Sequence, residues 1–317
     1  MNKVLILLGP TGIGKTDVSL LLAKTLNTEI ISADSMQIYR YMNIGTAKPT
    51  PSERAQVKHH MIDIIDPWEP FSTGKYITAV IPIIDSLIEK VKTPIVVGGT
   101  GLYIKAMTRG IFSGPSADWS LREELLSLEK EEKGILYSYL KVLDHEAVQK
   151  ITPHDTRRII RALEVCLKSK SPVSEIQKRL TRPLPYEFLK IGLSRERKEL
   201  YKIIEDRIDK MLAEGLVEEV KKVIKIIQNA DAHNIPSYVP LPSMQAIGYK
   251  EIALYLSGDM SLDEAMRLIK KGSKRYAKRQ FTWFRKEEGI HWVDVTGVFD
   301  NYEAFSRVNH ILSRLLK

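Results

Sequence analysis

The chain has almost no cysteine: Cys166 is the single thiol in 317 residues. One thiol excludes a disulfide framework and a zinc site built on several thiolates. Long apolar runs are lacking as well. The run Val4 to Leu8 near the start is too short for a signal-peptide core and far too short to span a bilayer. A soluble chain of the reducing cytoplasm, with no membrane partner, is the expectation. Internal repeats and low-complexity tracts are absent, so repeat architectures drop out.

What is present suits a globular core. Hydrophobic residues make up 44%, enough for one large or two smaller folded domains at this length. The net charge is +9, from 48 Lys and Arg against 39 Asp and Glu. So modest an excess points only weakly to a polyanionic partner, and the placement of the charges matters more.

Apolar periodicity outlines the fold. Val4 to Leu8 is short, continuous and apolar, as a buried parallel strand is. Lys15 to Leu26 has helical spacing, Glu29 to Ser32 reads as a strand, Lys75 to Lys90 as a helix and Pro94 to Val97 as another strand. Strands alternating with helices imply an α/β fold, a parallel sheet flanked by helices. From Pro115 to Arg182 the pattern is helical, and Phe188 to Leu193 looks like a strand returning to the sheet. The expected organisation is a core at 1–114 and 188–317 with an all-helical insertion at 115–187. A long helix from about Arg195 to Ile227, a Pro- and Asn-rich loop at Asn229 to Pro242, further helices and a strand around His291 to Val295 follow.

Residues Gly9, Pro10, Thr11, Gly12, Ile13, Gly14, Lys15 and Thr16 satisfy G-x-x-x-x-G-K-[ST] between a strand and a helix. That context is what a phosphate-binding P-loop needs. The glycines let backbone N–H groups curl around an anion, and the helix start adds its positive dipole end. Lys15 brings a charge to the phosphates, and Thr16 can hold Mg2+. The fold is thus expected to be P-loop NTPase-like. Yet the strand Pro94 to Val97 runs into Gly98-Gly99-Thr100, where an ATPase would carry an Asp to organise metal and water. Ile64-Ile65-Asp66 is a substitute in pattern, but Pro67 follows and the run is short. Phosphoryl transfer is poorly supported, and the loop is free to hold another diphosphate.

Ligands of open α/β sheets bind beyond the carboxyl ends of the strands. The P-loop, Ala33 to Gln37 and Gly98 to Gly101 should meet there. Asp34 follows its strand directly, and either caps the next turn or acts as a metal ligand or base. Thr100 offers a hydroxyl in a glycine-rich turn. Arg207 falls on an apolar helical stripe between Ile203 and Met211. There it either pairs with an anion or snorkels to solvent. Two segments concentrate positive charge. One is a helix beginning at Thr152-Pro153, with Arg157, Arg158 and Arg161 beside the apolar Ile159 and Leu163. The other is Lys270 to Lys286, where Lys278 and Arg279 lie among Tyr276, Phe281 and Trp283. Cations with aromatics fit phosphates and unstacked bases, although a solvated helix face gives the same pattern.

Taken together, GPTGIGKT, DSMQIYRYMNIGTAKP (34–49), GGTGLY (98–103), DTRRIIRALEV (155–165), QAIGYKE (245–251) and KRQFTWFR (278–285) resemble the tRNA dimethylallyltransferase family, in order and along nearly the whole chain. The zinc finger of eukaryotic members has no counterpart, so the likeness is to the shorter bacterial form. The resemblance implies that dimethylallyl diphosphate binds the P-loop with Mg2+. The acceptor would be N6 of the adenosine immediately 3′ of the anticodon, flipped from the tRNA anticodon stem-loop. It implies catalytic roles for Asp34 as base, Thr100, Lys15 and Arg207. It places tRNA contacts at Asp34, Ser35, Met36, Gln37, Thr100, Arg122, Arg157, Arg158, Ile159, Ile160, Arg161, Lys278, Arg279 and Gln280. A monomer is expected. The alternatives are an isopentenyltransferase acting on free adenine nucleotide, which would not need the insertion, a nucleotide kinase, and a non-catalytic RNA-binding protein.

Overall fold

Six short parallel strands form one sheet in the computed structural model, which describes residues 2–112, 114–231 and 241–316. The strands are β1 (Lys3–Leu8), β2 (Ile30–Ser32), β3 (His59–His60), β4 (Ile95–Gly98), β5 (Glu187–Ser194) and β6 (Ile290–Asp294). Their order is β3-β2-β4-β1-β5-β6, and every pairing is parallel. In β1, Val4 to Leu8 have no exposed surface. Helices cover both faces of a parallel sheet, so a central strand must be apolar on both sides. Each such side chain stabilises the fold by about 1.5–3 kcal/mol relative to exposure.

The described residues fall into two compact units, 2–104 with 185–231 and 241–316, and 105–184. The first holds the sheet and the helices around it. One of them, Thr73–Glu89, is tied to the sheet by Tyr76, whose hydroxyl donates to the Ser32 carbonyl at 3.2 Å. Tyr76 also stacks on Tyr103 at 3.9 Å. The second unit is entirely helical. Trp119–Glu131, Ile135–Leu143, His145–Lys150, Thr156–Ser169 and Val173–Leu180 enclose a core that includes Leu125, Leu136, Leu140, Ile159, Leu163 and Cys166.

Two local readings need correction. The single helix expected from Arg195 to Ile227 is two, Arg197–Ala213 and Leu216–Asp231. Gly215 between them has φ +100°, a left-handed conformation that breaks an α-helix and that glycine adopts without penalty. The insertion helix begins at Thr156, and its cap is Asp155, which accepts from the Arg158 N–H at 3.2 Å. Thr152-Pro153 lies outside it. Ile64-Ile65-Asp66, disfavoured by its short run and by Pro67, forms no named strand, as expected: Ile65 makes an isolated bridge to Tyr39, and Asp66 pairs with Arg40 at 3.1 Å. The expected loop at Asn229 to Pro242 lies largely outside the described residues. Among those described, no helix is long and apolar enough to cross a membrane.

Candidate active site

The P-loop leaves the carboxyl end of β1 and enters the helix Lys15–Thr25, with Gly14 at its cap in the left-handed region, φ +98°. Lys15 donates from Nζ to the carbonyls of Gly9 at 2.9 Å and Pro10 at 2.8 Å. Burial is the main cause that lowers its pKa to about 7, the charge of Asp34 raises it, and Arg207 lowers it further. These three groups therefore share one electrostatic neighbourhood. Thr11 to Thr16 line a cavity of ≈ 770 Å³ together with Ser32, Asp34, Gly98, Gly99 and Arg207. Gly9 and Pro10 stand behind it as the acceptors for Lys15.

Arg207 reaches this cavity from the helix Arg197–Ala213, whose neighbours Ile204, Ile208 and Met211 are buried. Its Nη2 donates to the Thr11 hydroxyl at 2.7 Å, and its buried Nε has no partner. Burial lowers its pKa, and Asp34 raises it. A buried guanidinium with an unmet donor is set to meet an anion. The snorkelling alternative thus fails for this residue.

Asp34 is cap and candidate base at once. Its Oδ1 accepts from the Met36 N–H at 2.8 Å and the Gln37 N–H at 3.4 Å, which fixes the carboxylate as it lines the cavity. Thr100 secures the same turn: its hydroxyl accepts the Ser35 N–H at 3.0 Å, and its N–H donates to the Ala33 carbonyl at 3.1 Å. Tyr103 and Tyr276 also feel the Asp34 charge. Burial first, and then that charge for Tyr276, raises their pKa values well above the usual range.

Much of the rest of the lining comes from the segment between Asn43 and Arg54, and sequence reasoning missed what holds it. Gln37 donates to the Ala47 carbonyl at 3.2 Å and accepts from Ser32 at 2.9 Å, so its amide is committed inside the chain. Glu219 accepts the N–H groups of Asn43 and Ile44 at 2.9 Å and Gly45 at 3.0 Å, and the Tyr249 hydroxyl at 2.6 Å. Tyr249 belongs to the QAIGYKE motif, which singles out the tyrosine but not its partner thirty residues earlier in the chain. Lys48, 7% exposed, donates to Asp63 at 2.6 Å and to the Tyr39 carbonyl at 2.8 Å.

Gln280, an expected RNA contact, is held at both ends of its amide. It is 6% exposed, accepts the Thr11 N–H at 2.9 Å and donates to the Gly99 carbonyl at 2.9 Å. Both groups of its amide are engaged within the chain beside the cavity, which Gln280 also lines, and the Thr11 N–H points at Gln280. On the same helix, Leu262–Phe284, Lys278 and Arg279 are exposed. Lys271, Lys274, Arg275 and Lys278 line a separate groove of ≈ 490 Å³ with Tyr201 and Glu205.

In the helical unit the expected RNA contacts divide. Arg157 and Arg158 are exposed. Ile159 and Ile160 are 2% and 6% exposed and belong to the core, a correction that follows from helical geometry: residues two apart on a helix lie about 200° apart, so Ile159 and Ile160 turn inward where Arg157 and Arg158 turn out. Arg122 donates twice to Glu164, at 2.9 and 2.8 Å, and Arg161 pairs with the same carboxylate. Glu164 has no exposed surface and also accepts the Asp118 N–H at 2.7 Å. A buried carboxylate needs this number of donors. It was missed because a Glu within an amphipathic helix gives no sign in sequence of facing inward.

A family model described as IPP transferase matches residues 37–287. The chain is 57% identical over 315 residues to a tRNA dimethylallyltransferase of Thermodesulfovibrio yellowstonii, covering 99% of both chains. It is 43% identical over 314 residues to one of Thermotoga maritima, covering 99% of this chain and 98% of that one. Among solved structures, the tRNA isopentenylpyrophosphate transferase of Bacillus halodurans aligns with TM-score 0.71 and 40% identity, over 99% and 97% of the two chains. A eukaryotic dimethylallyltransferase acting on tRNA aligns with TM-score 0.78 and 27% identity, over 99% and 80%. With a family model matched over residues 37–287 and 57% identity along 99% of the chain to one relative, the chain belongs to the IPP transferase family.

Proposed function

We propose that this enzyme transfers a dimethylallyl group from dimethylallyl diphosphate to N6 of the adenosine immediately 3′ of the anticodon in tRNA. The observation that carries this reading is Asp34, a carboxylate fixed by two backbone N–H groups on the wall of a P-loop cavity that Lys15 and Arg207 also line. A carboxylate is ill suited to bind an anion and well suited to take a proton beside one.

The exocyclic amine of adenine is a weak nucleophile, so its reaction needs positioning, a proton acceptor and a stabilised leaving group. N6 attacks the allylic carbon, the bond from that carbon to the diphosphate oxygen breaks, and the N6 proton passes to Asp34. Lys15 and Arg207 take up the charge that develops on the departing diphosphate. Thr16 lines the cavity; its hydroxyl with diphosphate oxygens and water suits Mg2+, which keeps most of its shell for water and phosphate, and the ion would add to that neutralisation. Exposed Arg157 and Arg158, and Lys278 and Arg279, are the candidate phosphate contacts for the anticodon stem-loop. Thr100 supports Asp34 through Ser35. We read the enzyme as a cytoplasmic monomer.

The test is transfer of labelled dimethylallyl from its diphosphate, with Mg2+, to unmodified tRNA or to free AMP. Label in tRNA is expected. Label on AMP alone would move the enzyme to free nucleotides, and ATP consumption without transfer would make it a kinase. The pairing of Asp66 with Arg40 rather than a place at the cavity disfavours the kinase.

A further inference from the structure

The helix Leu262–Phe284 turns Tyr276, Gln280 and Trp283 to one side, at the spacing of a single helical face. Trp283 lies against Gly101, where a Cβ would fall 2.3 Å from its ring. Gln280 reaches further in. Its Oε1 takes the Thr11 N–H and its Nε2 gives to the Gly99 carbonyl, both at 2.9 Å. The approach requires that residue 99 have no side chain, because a Cβ there would sit 2.1 Å from Nε2. Thr11 then accepts Arg207 through its hydroxyl at 2.7 Å. A single buried amide thus joins the P-loop, the turn after β4 and, through Thr11, the guanidinium.

We propose that Gln280 is a positioning residue for the diphosphate. By holding Thr11 against Gly99 it sets the first turn of the P-loop, and through the Thr11 hydroxyl it aims Arg207. A guanidinium recognises phosphate by the direction of its N–H groups as much as by charge, so freeing Thr11 leaves the charge in place but lets its direction wander. The inference rests on the reading that a diphosphate occupies this cavity, and it assigns Gln280 to the leaving group rather than to RNA.

Gln280→Met keeps length and removes both hydrogen bonds. Gly99→Ala displaces the same amide while leaving Gln280 in the sequence. Calorimetry with inorganic diphosphate and Mg2+ needs no transfer activity. It is run beside tRNA binding, melting temperature and the KM and kcat of transfer. Both variants are expected to weaken diphosphate binding and raise the KM for dimethylallyl diphosphate by about 10-fold, the scale of a slightly misplaced binding group. The tRNA Kd should stay within about two-fold of wild type. Combined with Arg207→Lys, Gln280→Met should add little further loss, because both act on one guanidinium. Wild-type diphosphate affinity in folded variants overturns the proposal, as does full additivity with Arg207→Lys or a loss confined to tRNA binding. If Gln280→Met does not fold, Gly99→Ala carries the same comparison. A wild-type enzyme that binds diphosphate but transfers nothing to tRNA would sink the functional reading and leave this inference standing.

Discussion

Arg207 donates to the hydroxyl of Thr11 at 2.7 Å across 196 positions of sequence. This single bond fixes a cation from the helix Arg197–Ala213 against the loop that follows β1. Arg207→Lys keeps the charge but cannot reproduce the fork of donors. The KM for dimethylallyl diphosphate should rise about 10-fold and kcat should fall, with tRNA affinity unchanged. Steady-state kinetics at saturating tRNA measure this; unaltered kinetics would remove Arg207 from the leaving-group site.

Asp34→Asn preserves an oxygen for the Met36 N–H and loses the proton acceptor. Transfer should fall by about 10²–10⁴-fold, while tRNA binding stays near wild type. Single-turnover rates beside filter-binding affinities separate the two. A variant that keeps its rate but no longer binds tRNA would make Asp34 a recognition residue.

Lys15 makes diphosphate binding depend on pH. Its pKa is lowered to about 7 in the protein, chiefly by burial, and a bound diphosphate restores it toward the ordinary lysine range near 10. Between those values the free enzyme carries a neutral amine and the complex an ammonium. Binding then takes up a proton and weakens as pH rises above about 7. Calorimetry at pH 8 in buffers of different ionisation enthalpy should show this uptake, and Lys15→Arg should abolish it. Equal uptake by both proteins would assign the proton to the diphosphate itself.

Stability and RNA affinity should separate in the helical unit. Glu164→Ala leaves Arg122 and Arg161 without their shared partner and should cost about 3 kcal/mol, at the lower end for a broken buried pair because both arginines reach solvent. Arg157→Glu with Arg158→Glu alters only exposed positions and should change stability by less than about 0.5 kcal/mol. The double variant should weaken tRNA binding and flatten its salt dependence. Chemical denaturation and salt titrations test both halves. A wild-type salt slope would take this helix out of the RNA interface.

The sequence by itself determined the elements whose signal is local. Val4 to Leu8 had to be a buried strand because no hydrophilic face exists there. GPTGIGKT was legible as a P-loop because its glycines and Lys15 stand together between a strand and a helix, and the helical insertion was legible as a long stretch without strand pattern. Asp34 was legible as a residue at a strand end that either caps the next turn or serves as a base, and the structure shows the cap. Only the tertiary structure decided what lies between distant segments. Sequence patterns report which way a side chain points along its own helix or strand, and not what meets it there. Hence Glu164 emerged only in the fold as the anion that Arg122 and Arg161 require. Gln280 shows the limit most plainly. Its motif marked the segment as basic and aromatic, the dress of an RNA contact, yet its amide closes a gap between Thr11 and Gly99 that exists only once β1, β4 and the helix Leu262–Phe284 have packed.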